Sequence, residues 1–444
     1  MIKRISQEEF AARRARLMDA IGENAVAIVA SATMQERNSD VEYPFRQHSD
    51  FYYLTGFDEP DAVLVLRPGA KGAEYCVFCQ PRDKQLEIWH GYRTGPEGLE
   101  ASYGVDVAFS NEELDQQMPK LLDGREQVLY SLATDESLDQ QVGGWINTLR
   151  GQIRQGAEPP EQLALLDSIL HEMRLIKSAE EADVMRAAGE LSAQAHRKAM
   201  ACCKPGMFEF QLEAEISYHL AYNGCRLPAY SSIVGGGVNA CVLHYTENKD
   251  LLTDGDLVLI DAGCEMDYYA ADITRTFPVN GKFNAEQKAV YELVLKTHQA
   301  CIEMIRPGVI WESIHERSVE LLTEGLVELG LLSGDRDELI EQGAYREFYM
   351  HRIGHWLGMD VHDVGRYKQE GESRPLRPGM VMTVEPGIYI SPDNQQVEAR
   401  WRGIGVRVED DILITETGYE NLTASVPVTV DEIEALMAGE SANA

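Results

Sequence analysis

The sequence predicts an α/β protein of two domains, the second built from two related halves. Three observations predict this. Short apolar runs bounded by Gly, Pro and Asp alternate with helical stretches early in the chain, as in a single α/β domain. The 444 residues exceed what one core of ~150 residues organises, so two or three domains are expected. In the second half Gly255, Asp261 and Gly263 recur as Gly379, Glu385 and Gly387, each 124 positions later.

The elements follow in order. Residues 7–22 read as a charged amphipathic helix. Ala25–Ala30, Ala62–Leu66 and Tyr75–Cys79 read as buried strands. Gly156-Ala157-Glu158-Pro159-Pro160 reads as a boundary, and Leu163–Leu166 as the start of a helical region reaching Ile176. Ser178-Ala179-Glu180-Glu181 has the capping-box pattern, with Ser178 at the N-cap and Glu181 at N3. This places the domains at 1–175 and 176–444. Lys204-Pro205-Gly206 and Arg306-Pro307-Gly308 each open a helical stretch, one in each half of the second domain. In both halves an acid ends an apolar strand: Leu257–Asp261 and Met380–Glu385. Two related halves would each deliver carboxylates to a shared cleft.

Composition excludes several function classes. Lys and Arg number 40 against 73 Asp and Glu, a net charge of −33. Such a chain repels phosphate backbones and anionic lipid, so neither nucleic acid nor a membrane surface is an expected partner. No run approaches the ~18 apolar residues of a membrane span. The opening residues turn acidic without an apolar core, so no signal peptide is expected. The eight cysteines are sparse and irregular, the usage of a cytoplasmic protein.

The chemistry concentrates in carboxylates. If Met266-Asp267 is the two-residue turn of a hairpin, Asp261 and Asp272 stand directly opposite each other, with Cβ atoms ~4.5–5.5 Å apart. Two bare carboxylates on apolar strands would repel at high cost, so a cation is expected between them. The alternative is that one Asp lies in a loop and the register differs. Glu385 ends its own strand, and Glu409 lies in the apolar stretch Gly405–Ile414. One strand Glu is ordinarily a solvated face, but four acids on apolar strands ask for a common explanation.

Three histidines fall in one stretch: His351, His355 and His362. The i, i+4 spacing of His351 and His355 raises a zincin helix, but position 352 is Arg where that motif has Glu. Gly354 and Gly358 favour a loop or strand. His244, read as lying on the apolar strand Cys241–Tyr245, is a further candidate beside the ordinary reading of a core histidine. Four carboxylates and one imidazole are mostly hard ligands. They suit Mn²⁺, with Mg²⁺, Fe²⁺, Co²⁺ and Zn²⁺ less specific fits. Four negative charges match two divalent ions, which together lower the pKa of a shared water. That makes a nucleophile for amide or phosphate hydrolysis, and the chain's acidity favours the amide.

Other signals carry less. Cys76-x-x-Cys79 has no second pair and reads as strand packing. Gly235-Gly236-Gly237 and Gly403-x-Gly405 lack the rest of a phosphate loop. Ser231-Ser232 has no nucleophile-elbow context. The charged helical stretch 311–324 reads as a solvated face.

These residues resemble a known family. Asp261…Asp272, the run His351–Asp363, Thr383-Val384-Glu385-Pro386-Gly387 and Gly405–Asp411 look like the "pita-bread" metallopeptidases, and within them the aminopeptidase P family. Glu42–Phe57 resembles that family's N-terminal domain. The resemblance implies a creatinase-like α/β domain followed by a pita-bread domain with pseudo-twofold halves. It implies that Asp261, Asp272, His355, Glu385 and Glu409 bind two metal ions, usually manganese, with Asp272 and Glu409 bridging. Glu385 would also accept the proton of the attacking water. His244, His351 and His362 would line the site, and Arg407 would pair with a carboxylate near the metals. Trp89 and Asp40 are similar to positions that reach a cleft in the family's oligomer, a homotetramer. The implied activity is release of an N-terminal residue that precedes proline, with the first domain restricting access to short or unstructured N-termini. The Xaa-Pro bond is a tertiary amide without N–H, so a dedicated site is reasonable. The alternative is a prolidase, which hydrolyses Xaa-Pro dipeptides with the same ligand types. Trp356 and the first-domain run favour aminopeptidase P.

Overall fold

A computed structural model describes residues 2–439. The chain divides into two compact units. One is Ile5–Arg174, and the other runs from Leu175 onward with residues 2–4 packed into it.

The first unit is built on a mixed six-stranded sheet. Its strands are β1 (Ala25–Ala30), β2 (Val63–Leu66), β3 (Tyr75–Cys79), β4 (Val107–Ser110), β5 (Gln127–Tyr130) and β6 (Gln162–Leu165), in the order β4-β3-β2-β1-β5-β6. Strand β1 is antiparallel to β2 and parallel to β5. Every residue of β2 and β3 is buried, as continuous apolar runs require. Cys76 and Cys79 are both buried on β3, and Cys76 packs into the core with Val26, Val65 and Phe78. Helix α1 (Gln7–Ile21) starts at Ser6, whose hydroxyl accepts from the Glu9 N–H at 3.1 Å. Its buried Arg13 and Arg14 donate to the carbonyls of Tyr53 and Leu54 at 3.1 and 2.8 Å.

Two expectations fail here. Gly156–Pro160 does not close the first unit, because β6 beyond it pairs in parallel with β5, from Gln127↔Gln162 to Tyr130↔Leu165. Leu163–Leu165 is therefore strand, and the helix begins only at Asp167. Four apolar residues carry no period of their own, and here the neighbouring strand decided the outcome.

The second unit repeats a pattern of two helices and a sheet. Helices α2 (Ala179–Cys202) and α3 (Glu209–Tyr222) precede strands β7 (Ile233–Gly236), β8 (Leu257–Asp261) and β9 (Thr274–Pro278), which form a sheet in the order β9-β8-β7. Helices α4 (Ala285–Glu303) and α5 (Trp311–Glu328) precede β10 (Val381–Val384), β11 (Gly387–Tyr389), β12 (Gly405–Arg407), β13 (Asp410–Ile414) and β14 (Tyr419–Asn421). Here β13 lies between β10 and β14, and β11 pairs with β12. The capping box forms at α2: Ser178 Oγ accepts from the Glu181 N–H at 3.3 Å, and Glu181 Oε2 accepts from the Ser178 N–H at 2.8 Å.

The internal repeat extends further than the sequence signal. The Gly206 N–H donates to the Leu252 carbonyl at 2.9 Å, and the Leu252 N–H returns to Met207 at 2.7 Å. In the second half the Gly308 N–H donates to Leu376 at 2.9 Å, and the Leu376 N–H returns to Val309 at 2.8 Å. Gly206 and Gly308 have φ of 88° and 87°, and Gly255 and Gly379 have 92° and 87°. These left-handed turns favour glycine, which is why the repeat is legible at those positions.

Candidate metal centre

Breaks between strands position most of the acids. Asp261 ends β8, Asp272 lies two residues before β9, Glu385 follows β10, and Glu409 sits between β12 and β13. Gly405–Ile414 is thus two strands with a break, not one.

The hairpin register also differs from the expectation. Asp267-Tyr268 form the turn, Met266 pairs with Tyr269, and Asp261 pairs with Thr274 rather than Asp272. Both turn residues have positive φ, 47° and 72°, the backbone of the two-residue turn that matches strand twist. A slip of two residues preserves the face, so Asp261 and Asp272 still converge. Both accept from the one hydroxyl of Tyr230, at 2.5 and 2.6 Å. A Cβ on Gly263 would lie 1.7 Å from the Ala271 carbonyl, so this close approach of the strands requires glycine.

His351, His355 and His362 lie on a loop rather than a helix, with one bridge from Trp356 to Met382 on β10. His355 Nδ1 faces the Trp356 carbonyl at 3.0 Å, so Nδ1 carries the proton. That leaves Nε2 facing Asp272 Oδ2 at 3.5 Å and Glu385 Oε1 at 3.7 Å. A lone pair facing two carboxylates is repulsive without a positive charge between them. The ring itself registers this: burial opposes protonation, but Asp272 and Glu385 push His355 up to about 9. Ligand atoms of Asp272, His355 and Glu409 lie within 4.8 Å of one another.

Electrostatics give the same reading. Asp261, Asp272, Glu409 and Asp411 are buried, and Glu385 is half-buried. Burial raises Glu385 to about 7 against the pull of His355 and Arg407, and raises Glu409 well above the carboxylate range. The cation placed against them is Arg407. Its Nη2 donates to Asp261 Oδ2 at 2.6 Å, its Nε to Thr274 Oγ1 at 3.0 Å, and its Nη1 to the Tyr389 hydroxyl at 3.0 Å. One guanidinium does not balance five carboxyl groups. Oxygen donors with one imidazole fit hard or borderline divalent cations, with Asp261, Asp272, His355, Glu385 and Glu409 the available ligands.

The other predicted residues lie around this cluster. Tyr389 accepts from Arg407 and donates to His351 Nε2 at 2.9 Å, while His351 Nδ1 donates to the Arg352 carbonyl at 2.8 Å. Burial, then Arg407, holds His351 near 3, so the ring is neutral. His351 Nδ1 lies 3.8 Å from Glu385 Oε2. The His362 ring is 4.2 Å from the His355 ring. His244 is exposed in a turn rather than on a strand, yet near enough to act electrostatically on His351 and His362. In the first unit, Trp89 is 82% exposed on helix Lys84–His90, and Asp40 is exposed in a hairpin turn.

Sequence reasoning missed four residues. Tyr230 and Tyr389 are aromatic positions without a motif. Thr274 donates to Glu409 Oε2 at 2.6 Å, and Asp411 Oδ2 accepts from the Asp272 N–H at 3.0 Å. The available signal was adjacency, since both lie two residues from an expected ligand.

Residues 183–416 match the profile of metallopeptidase family M24, and residues 10–130 match the aminopeptidase P N-terminal domain. The M24 match spans all five candidate ligands. The chain is 49% identical over 434 residues to the Xaa-Pro aminopeptidase of Escherichia coli, covering 98% of each. This chain belongs to the aminopeptidase P family of M24 metallopeptidases. As a member it is a hydrolase. Its fold matches the structure of Pseudomonas aeruginosa aminopeptidase PepP with a TM-score of 0.98 at 54% identity, covering 100% of both chains. It matches a zinc-substituted E. coli aminopeptidase P in complex with product at 0.96 and 48% identity, covering 99% of this chain and 100% of that one. The aminopeptidase P architecture implied by the resemblance is the fold of this chain. Among the described residues, no helix is long and apolar enough to cross a membrane.

Proposed function

We propose that this enzyme releases the N-terminal residue from peptides with proline at the second position. The observation that carries the reading is His355 Nε2 facing Asp272 and Glu385 carboxylates beside Glu409, a part-buried arrangement that requires positive charge. Asp261, Asp272, His355, Glu385 and Glu409 would hold two divalent cations. Bound there, two such ions would supply a hydroxide nucleophile at neutral pH and polarise the scissile carbonyl.

The chain's own groups do the rest. Glu385 takes the proton of the attacking water at a carboxylate oxygen. Arg407 holds Asp261 in place and fixes the Tyr389 hydroxyl, which in turn fixes the His351 tautomer. His244, His351 and His362 line the approach; His244 and His362 donate to the developing oxyanion and to the leaving proline nitrogen, while His351, its Nδ1 proton given to the Arg352 carbonyl and its Nε2 accepting from Tyr389, shapes the wall.

Kinship to the E. coli Xaa-Pro aminopeptidase supports the substrate class. The family resemblance further supports manganese, a cytoplasmic location and a homotetramer, which sedimentation and metal analysis of native protein would test. The deciding experiment is initial rates on an Xaa-Pro-Yaa tripeptide and the matching Xaa-Pro dipeptide, with Mn²⁺ and after chelation. Rapid, metal-dependent cleavage of the tripeptide is expected. Cleavage of the dipeptide instead makes the enzyme a prolidase, and cleavage of neither removes the proline reading.

A further inference from the structure

The loop from Trp356 to Asp363 is closed by a backbone bond, the Asp363 N–H donating to the Trp356 carbonyl at 2.9 Å. Each end of that bond follows a histidine, His355 at one and His362 at the other. Closing the loop there brings the two rings to 4.2 Å. The Asp363 side chain secures the closure. Its Oδ1 accepts from the Asp360 N–H at 3.4 Å, and its Oδ2 accepts from Lys177 Nζ at 2.8 Å.

The side chains of Lys177 and Asp363 are each 1% exposed. A Cβ on Gly358 would lie 2.1 Å from Asp363 Oδ2 and 2.9 Å from Lys177 Cε, so the loop backbone packs directly on the pair. Lys177 is anchored on its other side by its own N–H, which donates to the Gly379 carbonyl at 2.8 Å. Gly379 leads into β10, the strand that delivers Glu385. One buried lysine is thus tied both to the loop carrying His355 and to the strand leading to Glu385.

We propose that Lys177 and Asp363 form a positioning pair that sets His355 and His362 against Glu385. A buried ion pair is often no more stabilising than apolar residues of similar volume, so its presence here is better explained by registry than by stability. Residues that support a metal ligand commonly tune metal affinity or activity by about 10- to 100-fold. This inference rests on the reading of His355 as a ligand and His362 as a site residue.

The test replaces both charges at once, Lys177→Met with Asp363→Leu, in the full chain. Three quantities are read: thermal midpoint, Mn²⁺ affinity by calorimetry, and kcat and KM on an Xaa-Pro tripeptide. The double variant is expected to melt near the parent while Mn²⁺ affinity and kcat fall about 10- to 100-fold. Parental melting, affinity and kcat together would overturn the proposal. If the double variant does not fold, Lys177→Arg decides, since it keeps the charge but moves the donor. Weaker Mn²⁺ binding in that folded variant supports positioning, and parental binding overturns it. Failure of the parent to cut any Xaa-Pro peptide sinks the substrate reading separately, because the Mn²⁺ measurement does not depend on turnover.

Discussion

Arg407 Nη2 donates to Asp261 Oδ2 at 2.6 Å, with both residues buried. The same guanidinium reaches Thr274 and Tyr389, so it ties β8, β9 and β11 to β12 around the carboxylates. Removing it strips Asp261 of this cation among like charges and leaves it the Tyr230 hydroxyl. Arg407→Ala is expected to cost about 3–5 kcal/mol in chelator, the usual loss when one partner of a buried pair is deleted. Divalent cations supply the missing charge, so the loss should shrink at saturating metal. Urea unfolding with EDTA and with Mn²⁺ checks this, and an equal loss in both conditions would refute the shared-charge account.

Metal binding should release protons near neutral pH. Glu385 is raised to about 7 and Glu409 well above its ordinary range, both chiefly by burial. Both carry protons that a metal must displace. Affinity is therefore expected to rise with pH through about 7. Calorimetry in buffers of different ionisation enthalpy measures the proton count directly. Conversely, adding EDTA to the loaded enzyme should lower the thermal midpoint, by the equivalent of about 4 kcal/mol if metal had stood at ~1,000 times its Kd.

The first unit carries its own acid sensitivity. Asp50 accepts from Arg174 Nη1 at 2.8 Å and lies 3.2 Å from His171 Nε2. Burial works against its ionisation, but His171 and Arg174 overcome this and depress its pKa well below the ordinary value. A carboxylate with a lowered folded pKa adds stability that is complete above its unfolded pKa of ~3.9 and disappears as pH falls below it. Asp50→Asn should therefore destabilise by about 3 kcal/mol at pH 7. The gap to the parent should narrow below about pH 4, as chemical unfolding across pH 3–7 would reveal.

Two glycines of the repeat should respond differently to alanine. Gly255 has positive φ but open space around it, so Gly255→Ala is expected to cost only the left-handed strain of about 1–2 kcal/mol. At Gly263 the new Cβ would meet the Ala271 carbonyl at 1.7 Å and force apart the segments carrying Asp261 and Asp272. Gly263→Ala should lower stability more and weaken Mn²⁺ binding as well. Thermal melting and metal titration of the two variants make the comparison.

The sequence by itself determined the residue types, their order and much of the local structure. Apolar runs marked β1, β2 and β3, the Ser178–Glu181 pattern marked the start of α2, and left-handed glycines 124 residues apart marked the repeat. These features are local, set by propensity, capping and φ, so they can be read from a few neighbouring residues. The tertiary structure alone decided three things. It placed β6 in the first sheet, because a short apolar run takes the state of the strand beside it. It set the hairpin register at Asp261↔Thr274, because turn backbone outweighed a pairing count, while the even slip kept both aspartates on one face. It gathered Tyr230, Thr274, Tyr389 and Asp411 around the carboxylates, and it joined Lys177 to Asp363 across 186 positions of chain. Such contacts are made between elements far apart in sequence, and their energy exists only once a buried, low-dielectric interior has formed.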